Sequence, residues 1–282
     1  MNIVILGGTG LIGQALKNEF QHSHNVRTFG RAIYQDQENL LASIQWSDIL
    51  IQLSGATIAK RWTSKYKQEI WDSRIKSNQI LANIFGKLEK KPKVFFASAV
   101  GFYPESFCEE PLDEDFLHSG NDFLSQLSVE WEALARKISE DALIFRFGVV
   151  LSKEGGALKE MLPMYKLGLG GPIGSGKQCF PWVYIKDLVS AFNYAIDKNL
   201  AGTFNLTSPQ LITQKKFGQS LANQLKKAFF LTTFEWQLKL IFGEGSQVLT
   251  KSLAIKPTKL SEHGFVFKYP QIENTLKDIF ND

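Results

Sequence analysis

The chain is poor in the residues that staple or metallate small proteins: 282 residues include two cysteines and four histidines. Cys108 and Cys179 are too few for a disulfide scaffold and stand far apart in sequence, so a reduced, cytoplasmic protein is the expectation. His22, His24, His118 and His263 are scattered, and no Cys/His spacing fits a zinc site, so no metal is assigned. An excess of one charge is also missing. Thirty-two basic against 28 acidic residues leave a formal +4, too balanced for nucleic acid as the main partner. No apolar run reaches the roughly 20 residues of a membrane span. The greasiest stretch, 228–242, is broken by Glu235 and Lys239 and reads as an amphipathic or buried helix rather than a membrane contact. Met1–Leu6 is apolar but has no basic flank and runs into glycines, which suits a buried strand better than a signal peptide. With 44% hydrophobic and 21% charged residues, disorder, collagen-like repeats and coiled coil are excluded. The length fits one large domain or a domain with an appendage.

What is present is alternation. Asn2–Leu6, Val26–Phe29, Asp48–Leu53, Lys93–Ser98 and Leu143–Leu151 are short apolar runs typical of strands buried on both faces. Leu11–Phe20, Ser64–Leu88 and Phe123–Ile138 carry apolar residues at helical intervals. Such alternation implies βαβ units and a parallel sheet covered by helices. The interval from Arg31 to Asp48 is tight for helix, strand and helix, so a strand there is expected to be very short or missing. Later, Ala157–Leu167 and Ile185–Lys198 read as helices, Gly202–Leu206 as a strand and Gly168–Lys177 as a glycine-rich loop. The tail is helical from Thr213, then loops, then helical again at Ile272–Phe280.

Gly7, Gly10 and Gly13 follow the first strand and open the first helix. The first allows a tight turn, the second lets backbone approach a pyrophosphate, and the third permits close helix–strand packing. Thr9, Leu11 and Ile12 complete this phosphate-binding turn. An NAD site would place a carboxylate at the end of the second strand to hold the ribose hydroxyls. This chain has Gly30-Arg31 there and no carboxylate until Asp36. Arg31 can pair with a 2′-phosphate, so NADP(H) is the expected cofactor. Gly171–Lys177 spells the start of a P-loop, but Gln178 replaces the required Ser or Thr and no apolar strand precedes it, so nucleoside triphosphate binding is excluded.

The GGTGLIG opening and Leu53-Ser54-Gly55-Ala56 resemble the extended short-chain dehydrogenase/reductase superfamily. Arg61-Trp62, Ile70–Arg74, Ser98–Tyr103, Gly148–Leu151, Leu167–Gly176, Pro181–Leu188 and Gly264–Pro270 are similar to one atypical subgroup: epimerase-family proteins with a small C-terminal domain, sometimes labelled cell-division inhibitors. The resemblance spans essentially the whole chain. It implies an α/β, Rossmann-type doubly wound parallel sheet with a smaller C-terminal substrate lobe, residues 1–151 and 185–208 forming the NADP-binding part and 152–184 and 209–282 the lobe. The superfamily's acid/base pair, a Tyr and a Lys four residues on, falls at Leu124 and Ser128, and no tyrosine occurs between Asn121 and Lys137.

Ser98 and Tyr103, at the carboxyl edge of the sheet, are the replacement catalytic candidates, with wall packing as the alternative for Tyr103. Leu53, Ser54, Gly55, Glu69 and Arg74 are expected beside the cofactor. Arg146, Met164, Phe180 and Trp182 are candidates for the substrate cleft, core packing being the alternative for the methionine. The expected activity is that of an NADP(H)-dependent epimerase- or dehydratase-like oxidoreductase on a small polar or nucleotide-sugar-like substrate, as monomer or homodimer. The alternative is a catalytically silent NADP(H)-binding regulatory protein with a link to cell division.

Overall fold

Six parallel strands form one sheet, in which the second strand in chain order lies at one edge and is followed by the first, third, fourth, fifth and eighth. The structure is a computed structural model and describes residues 1–281. The strands are β1 (Asn2–Leu6), β2 (Asn25–Phe29), β3 (Ile49–Gln52), β4 (Lys93–Ala99), β5 (Leu143–Phe147) and β8 (Gly202–Leu206). Between them run α1 (Leu11–Phe20), α2 (Gln37–Trp46), α3 (Ser64–Phe85), α4 (Phe123–Ile138), β6 (Val149–Leu151), α5 (Gly156–Lys166), β7 (Trp182–Tyr184) and α6 (Ile185–Asp197). The tail forms α7 (Gln214–Gln224), α8 (Glu235–Phe242), α9 (Gln247–Thr250), α10 (Thr258–Glu262) and α11 (Ile272–Asn281). The interval after Arg31 holds a 3₁₀ turn and α2 but no strand.

The continuous apolar strands have a simple cause. In β1, Ile3 and Ile5 face one core with α1 and α6, while Val4 and Leu6 face the other with α2 and α3. Successive side chains alternate in a strand, so burial on both faces requires apolar residues at every position. After β2 the chain crosses over β1 to lay down β3 on its far side. This reversal opens a crevice above the carboxyl end of β1, where doubly wound sheets bind their ligands.

The run expected as one strand over 143–151 divides in two. Gly148 donates its N–H to the Leu206 carbonyl at 3.1 Å, and a side chain there would begin 2.7 Å from the Pro181 carbonyl. Past that contact the chain leaves the main sheet, and β6 pairs in parallel with β7. The stretch 228–242 also differs from expectation. Only its second half is helical, and Leu238 is the single buried residue of α8. Its first half is extended against the glycine-rich loop, with Phe229 bridging to Gly170 and Thr233 to Ile173. The cysteines are likewise corrected: Cys108 and Cys179 form a disulfide. The loop after β4 folds back to the segment entering β7, and Ser252 ties both, accepting from the Cys179 N–H and donating to the Ser106 carbonyl. Separation in sequence was therefore no guide to separation in space, and reduced cysteines no longer argue for a compartment. Among the described residues, no helix is long and apolar enough to cross a membrane.

Candidate functional site

The glycine turn between β1 and α1 is shaped by close approach. Gly7 has a φ of +82°, and a side chain on it would start 2.8 Å from the Leu53 carbonyl carbon. One on Gly13 would start 2.5 Å from the Gly7 oxygen, so α1 can press onto the turn only with glycine there. Gly10 caps α1 without a side-chain hydrogen bond, and the first turn holds no acidic residue. Amides at a helix start have no partners within the helix and carry the positive end of its dipole. The amides of Gly7 and Gly8 bond the Phe29 carbonyl and that of Gly10 the Gly7 carbonyl, and the start of α1 presents its N–H groups with no carboxylate of its own, which fits a pyrophosphate. Thr9 is exposed and stands beside Gly30, while Leu11 and Ile12 are half-buried.

At the end of β2, Arg31 is exposed and meets Glu69 of α3 at 3.3 Å, so two expected cofactor residues lie together. At such exposure the pair is worth little to stability, and an incoming phosphate could take over the guanidinium. The end of β3 is more rigid. The Tyr34 hydroxyl lies 2.9 Å from Ser54 Oγ and 3.0 Å from Gln52 Oε1, with one proton to donate between them, and Gln52 donates on to buried Asn78. Burial pushes the Tyr34 phenol up. Leu53 and Gly55 form the adjoining rim. Arg74 packs beneath Gly55, where a side chain would begin 2.8 Å from its guanidinium carbon. Its guanidinium donates to the Ala56 and Ile70 carbonyls and lies 5.1 Å from the Trp131 ring centre. Burial lowers its pKa to about 10. Arg74 therefore braces the loop after β3 from below, through the Ala56 and Ile70 carbonyls and the Ser73 hydroxyl.

Ser98 and Tyr103, the expected catalytic candidates, lie inside the molecule. Ser98 donates to Glu132 Oε1 at 2.7 Å, and Tyr103 donates to Asn205 Oδ1 at 2.9 Å. Burial raises the Tyr103 phenol to about 12. Arg146, expected at the substrate, instead grips Glu132 through Nε at 2.7 Å and a second nitrogen at 2.8 Å. Its guanidinium lies 3.5 Å from the centre of the Phe102 ring. Glu132, on the inner face of α4, gathers Ser98, Arg146 and Arg136 into one ion network. Trp182 also lies in the core, Phe180 stacks 4.5 Å from Phe217, and Met164 projects from the surface of α5.

The opening at this edge of the sheet lies at the start of α4. Leu124 packs toward Gly101 and Ser128 is buried, so the helix presents no proton-transfer pair. Immediately before it, Asp122 accepts from the Ser125 N–H at 3.0 Å and from Lys251 Nζ at 2.5 Å. Lys251 also donates to the Tyr103 carbonyl at 2.8 Å. Burial alone would raise the Asp122 carboxyl, but the Lys251 and Ser125 hydrogen bonds outweigh it and hold it below the usual range. Both residues line a cavity of about 470 Å³, together with Glu105, Asn121, Glu235 and Thr250. Sequence reasoning missed this pair, because 129 positions separate its members and neither sits in a recognisable motif.

Comparison with known proteins agrees with this layout. The model of the NAD dependent epimerase/dehydratase family matches residues 3–207, and that of a domain of unknown function, DUF1731, matches residues 233–279. An epimerase family protein of Staphylococcus aureus is 35% identical over 297 residues, covering 99% of each chain. One from Staphylococcus haemolyticus is 34% identical, covering 99% of this chain and 98% of its own. Among solved structures, a human epimerase family protein, SDR39U1, crystallised with NADPH, superposes with a TM-score of 0.91 at 30% identity over the whole of both chains. A dTDP-4-dehydrorhamnose reductase of Bacillus anthracis in complex with NADP shares the fold, with a TM-score of 0.81 at 16% identity and coverage of 99% and 98%. The chain belongs to the NAD dependent epimerase/dehydratase family, as an extended short-chain dehydrogenase/reductase with a DUF1731 segment at its C-terminal end.

Proposed function

We propose that the protein is an NADP(H)-dependent oxidoreductase of epimerase- or dehydratase-like type, acting on a small polar or sugar-like molecule. The observation that carries this reading is the pairing of a glycine turn and helix start with a guanidinium, not a carboxylate, at the end of β2. Gly7, Thr9, Gly10, Leu11, Ile12 and Gly13 would receive the pyrophosphate, Arg31 the 2′-phosphate, and Leu53, Ser54 and Gly55 the face of the nucleotide. Glu69 would exchange its contact with Arg31 for one with a hydroxyl. The human relative crystallised with NADPH supports the same cofactor. When bound, the nicotinamide supplies or accepts hydride.

The proton must then come from outside α4. Lys251, held against Asp122 on the cavity wall, carries one at Nζ and is the group placed to deliver it to a substrate oxygen. NADPH is expected to bind at least tenfold tighter than NADH, with Arg31→Ala erasing the preference. Equal affinities in the parent protein would overturn the Arg31 assignment. Turnover is sought as NADPH oxidation against carbonyl compounds and nucleotide sugars. Lys251→Met should lower it by about 10²–10⁴ while leaving NADPH affinity unchanged. Full activity in that variant would remove Lys251 from the mechanism. A second reading, a cofactor-binding regulator without turnover, is favoured by Leu124 and Ser128. It gains the lead if saturating NADPH is oxidised with none of the panel.

A further inference from the structure

The cystine sits where three segments meet, and the third of them carries Lys251. Residues 252–254 run between the loop after β4 and the residues entering β7. On one flank the Ser106 N–H donates to the Ser252 carbonyl at 2.9 Å, and Ser252 Oγ donates back to the Ser106 carbonyl at 2.7 Å. On the other the Cys179 N–H donates to Ser252 Oγ at 2.8 Å and the Leu253 N–H to the Cys179 carbonyl at 3.2 Å. The Cys108–Cys179 bond is the covalent tie between the two flanks. Lys251 stands one residue before this junction, and its Nζ clasps both ends of the loop that bears Cys108, the Tyr103 carbonyl and the Asp122 carboxylate. Only 16% of the Lys251 side chain is exposed.

The two sulfurs differ in access. Cys179 is 2% exposed, whereas Cys108 is half-buried between exposed Phe107 and exposed Glu109. Thiol–disulfide exchange goes through the sulfur that a thiolate can reach, here Cys108. A thiolate of a dithiol attacks Cys108 Sγ, the bond to Cys179 breaks, and Cys179 leaves as a thiolate that takes up a proton. The second thiol of the reductant then displaces Cys108, which ends protonated, while the reductant ends as its own disulfide. Two electrons pass from the dithiol to the cystine. The loop keeps other anchors: Glu114 accepts from the Asn205 N–H at 2.7 Å and the Lys259 N–H at 3.3 Å, and the Leu112 N–H donates to the Ala254 carbonyl at 2.8 Å. A reduced chain therefore stays folded but loses the covalent brace around Ser252. We propose that Cys108–Cys179 is a thiol-exchange site through which a dithiol controls Lys251, reduction freeing Nζ from Tyr103 and Asp122. A fall in turnover follows, and that consequence rests on the acid role of Lys251 proposed above.

In the test, the folded full chain with saturating NADPH is treated with dithiothreitol, desalted without air and pulsed with acetic anhydride. Peptide mass spectrometry then reads acetylation of Lys251 against exposed Lys226. Two free thiols should appear per chain, and Lys251 should react about tenfold faster or more, the effect of losing one charge-assisted bond. Reoxidation should restore the slow rate, with NADPH affinity unchanged throughout. Cys108→Ser should show the fast rate with or without the dithiol. A bond that resists the dithiol until the chain is denatured is a fixed staple and overturns the proposal. Free thiols with unchanged Lys251 reactivity, or loss of NADPH binding on reduction, overturn it as well. Turnover separates the two readings. A faster Lys251 with constant turnover removes it from the reaction while the exchange site stands, whereas a Lys251 of constant reactivity sinks the exchange site whatever the turnover.

Discussion

Glu132 accepts from Ser98, Arg146 and Arg136 while almost wholly buried, and this fixes what the end of β4 can do. Removing one partner of a buried pair strands the other's charge, so the cost far exceeds that of a surface bridge. Glu132→Gln is expected to lower unfolding stability by about 3–5 kcal/mol in urea titrations, because Arg146 keeps its charge with nothing to balance it. Ser98→Ala should cost only about 1 kcal/mol, the net value of one hydrogen bond, and should leave turnover untouched. A large loss of turnover with little loss of stability would return Ser98 to the catalytic machinery. The two variants together separate a structural hydroxyl from a reactive one.

Elements differ in how much of themselves they write into local sequence. β1, α1 and α4 are set by periodicity and caps, and their observed bounds follow the apolar pattern closely. The break at Gly148 was hidden, since the residues on both sides are equally apolar and only the Pro181 carbonyl enforces it. The glycine turn was legible because its chemistry is local. The Asp122–Lys251 pair, the Cys108–Cys179 bond and the Glu132 network were not, because each joins distant segments. The anchoring of α11 is another such junction. Asp278 accepts from Tyr184 and Lys186 at 2.7 Å each and from Tyr269 at 2.9 Å. Burial would raise its carboxyl, but these bonds, led by Lys186, hold it below the ordinary 3.8. A carboxylate lowered in the folded state stabilises it above the ordinary value, and that contribution fades as pH falls through the folded one. Tm should therefore drop as pH falls below the ordinary carboxylate range, and Asp278→Asn, already less stable at neutral pH, should show a shallower drop. Parallel curves for parent and variant would remove Asp278 from the acid transition.

At the scale of the whole molecule, cofactor binding and stability are one equilibrium. The crevice is bounded by the glycine turn, by the end of β3, and by Gly155 and Gly156, whose first side-chain carbons would lie 3.4 and 3.2 Å from Leu11. A ligand there would touch β1, β3, α1 and the loop into α5 at once, and those pieces are brought together only in the folded chain. Ligand that binds the native state alone stabilises it by RT ln(1 + [L]/Kd), about 2.7 kcal/mol at a hundredfold excess over Kd. At roughly 2–4 °C per kcal/mol for a protein of this size, NADPH should raise Tm by about 5–11 °C. NADH at the same concentration should give a smaller shift, since it leaves Arg31 paired with Glu69 rather than with a phosphate. In Arg31→Ala the two shifts should converge toward the NADH value. A parent protein shifted equally by both cofactors would place discrimination elsewhere than β2. One shifted by neither would mean that the glycine crevice binds no dinucleotide.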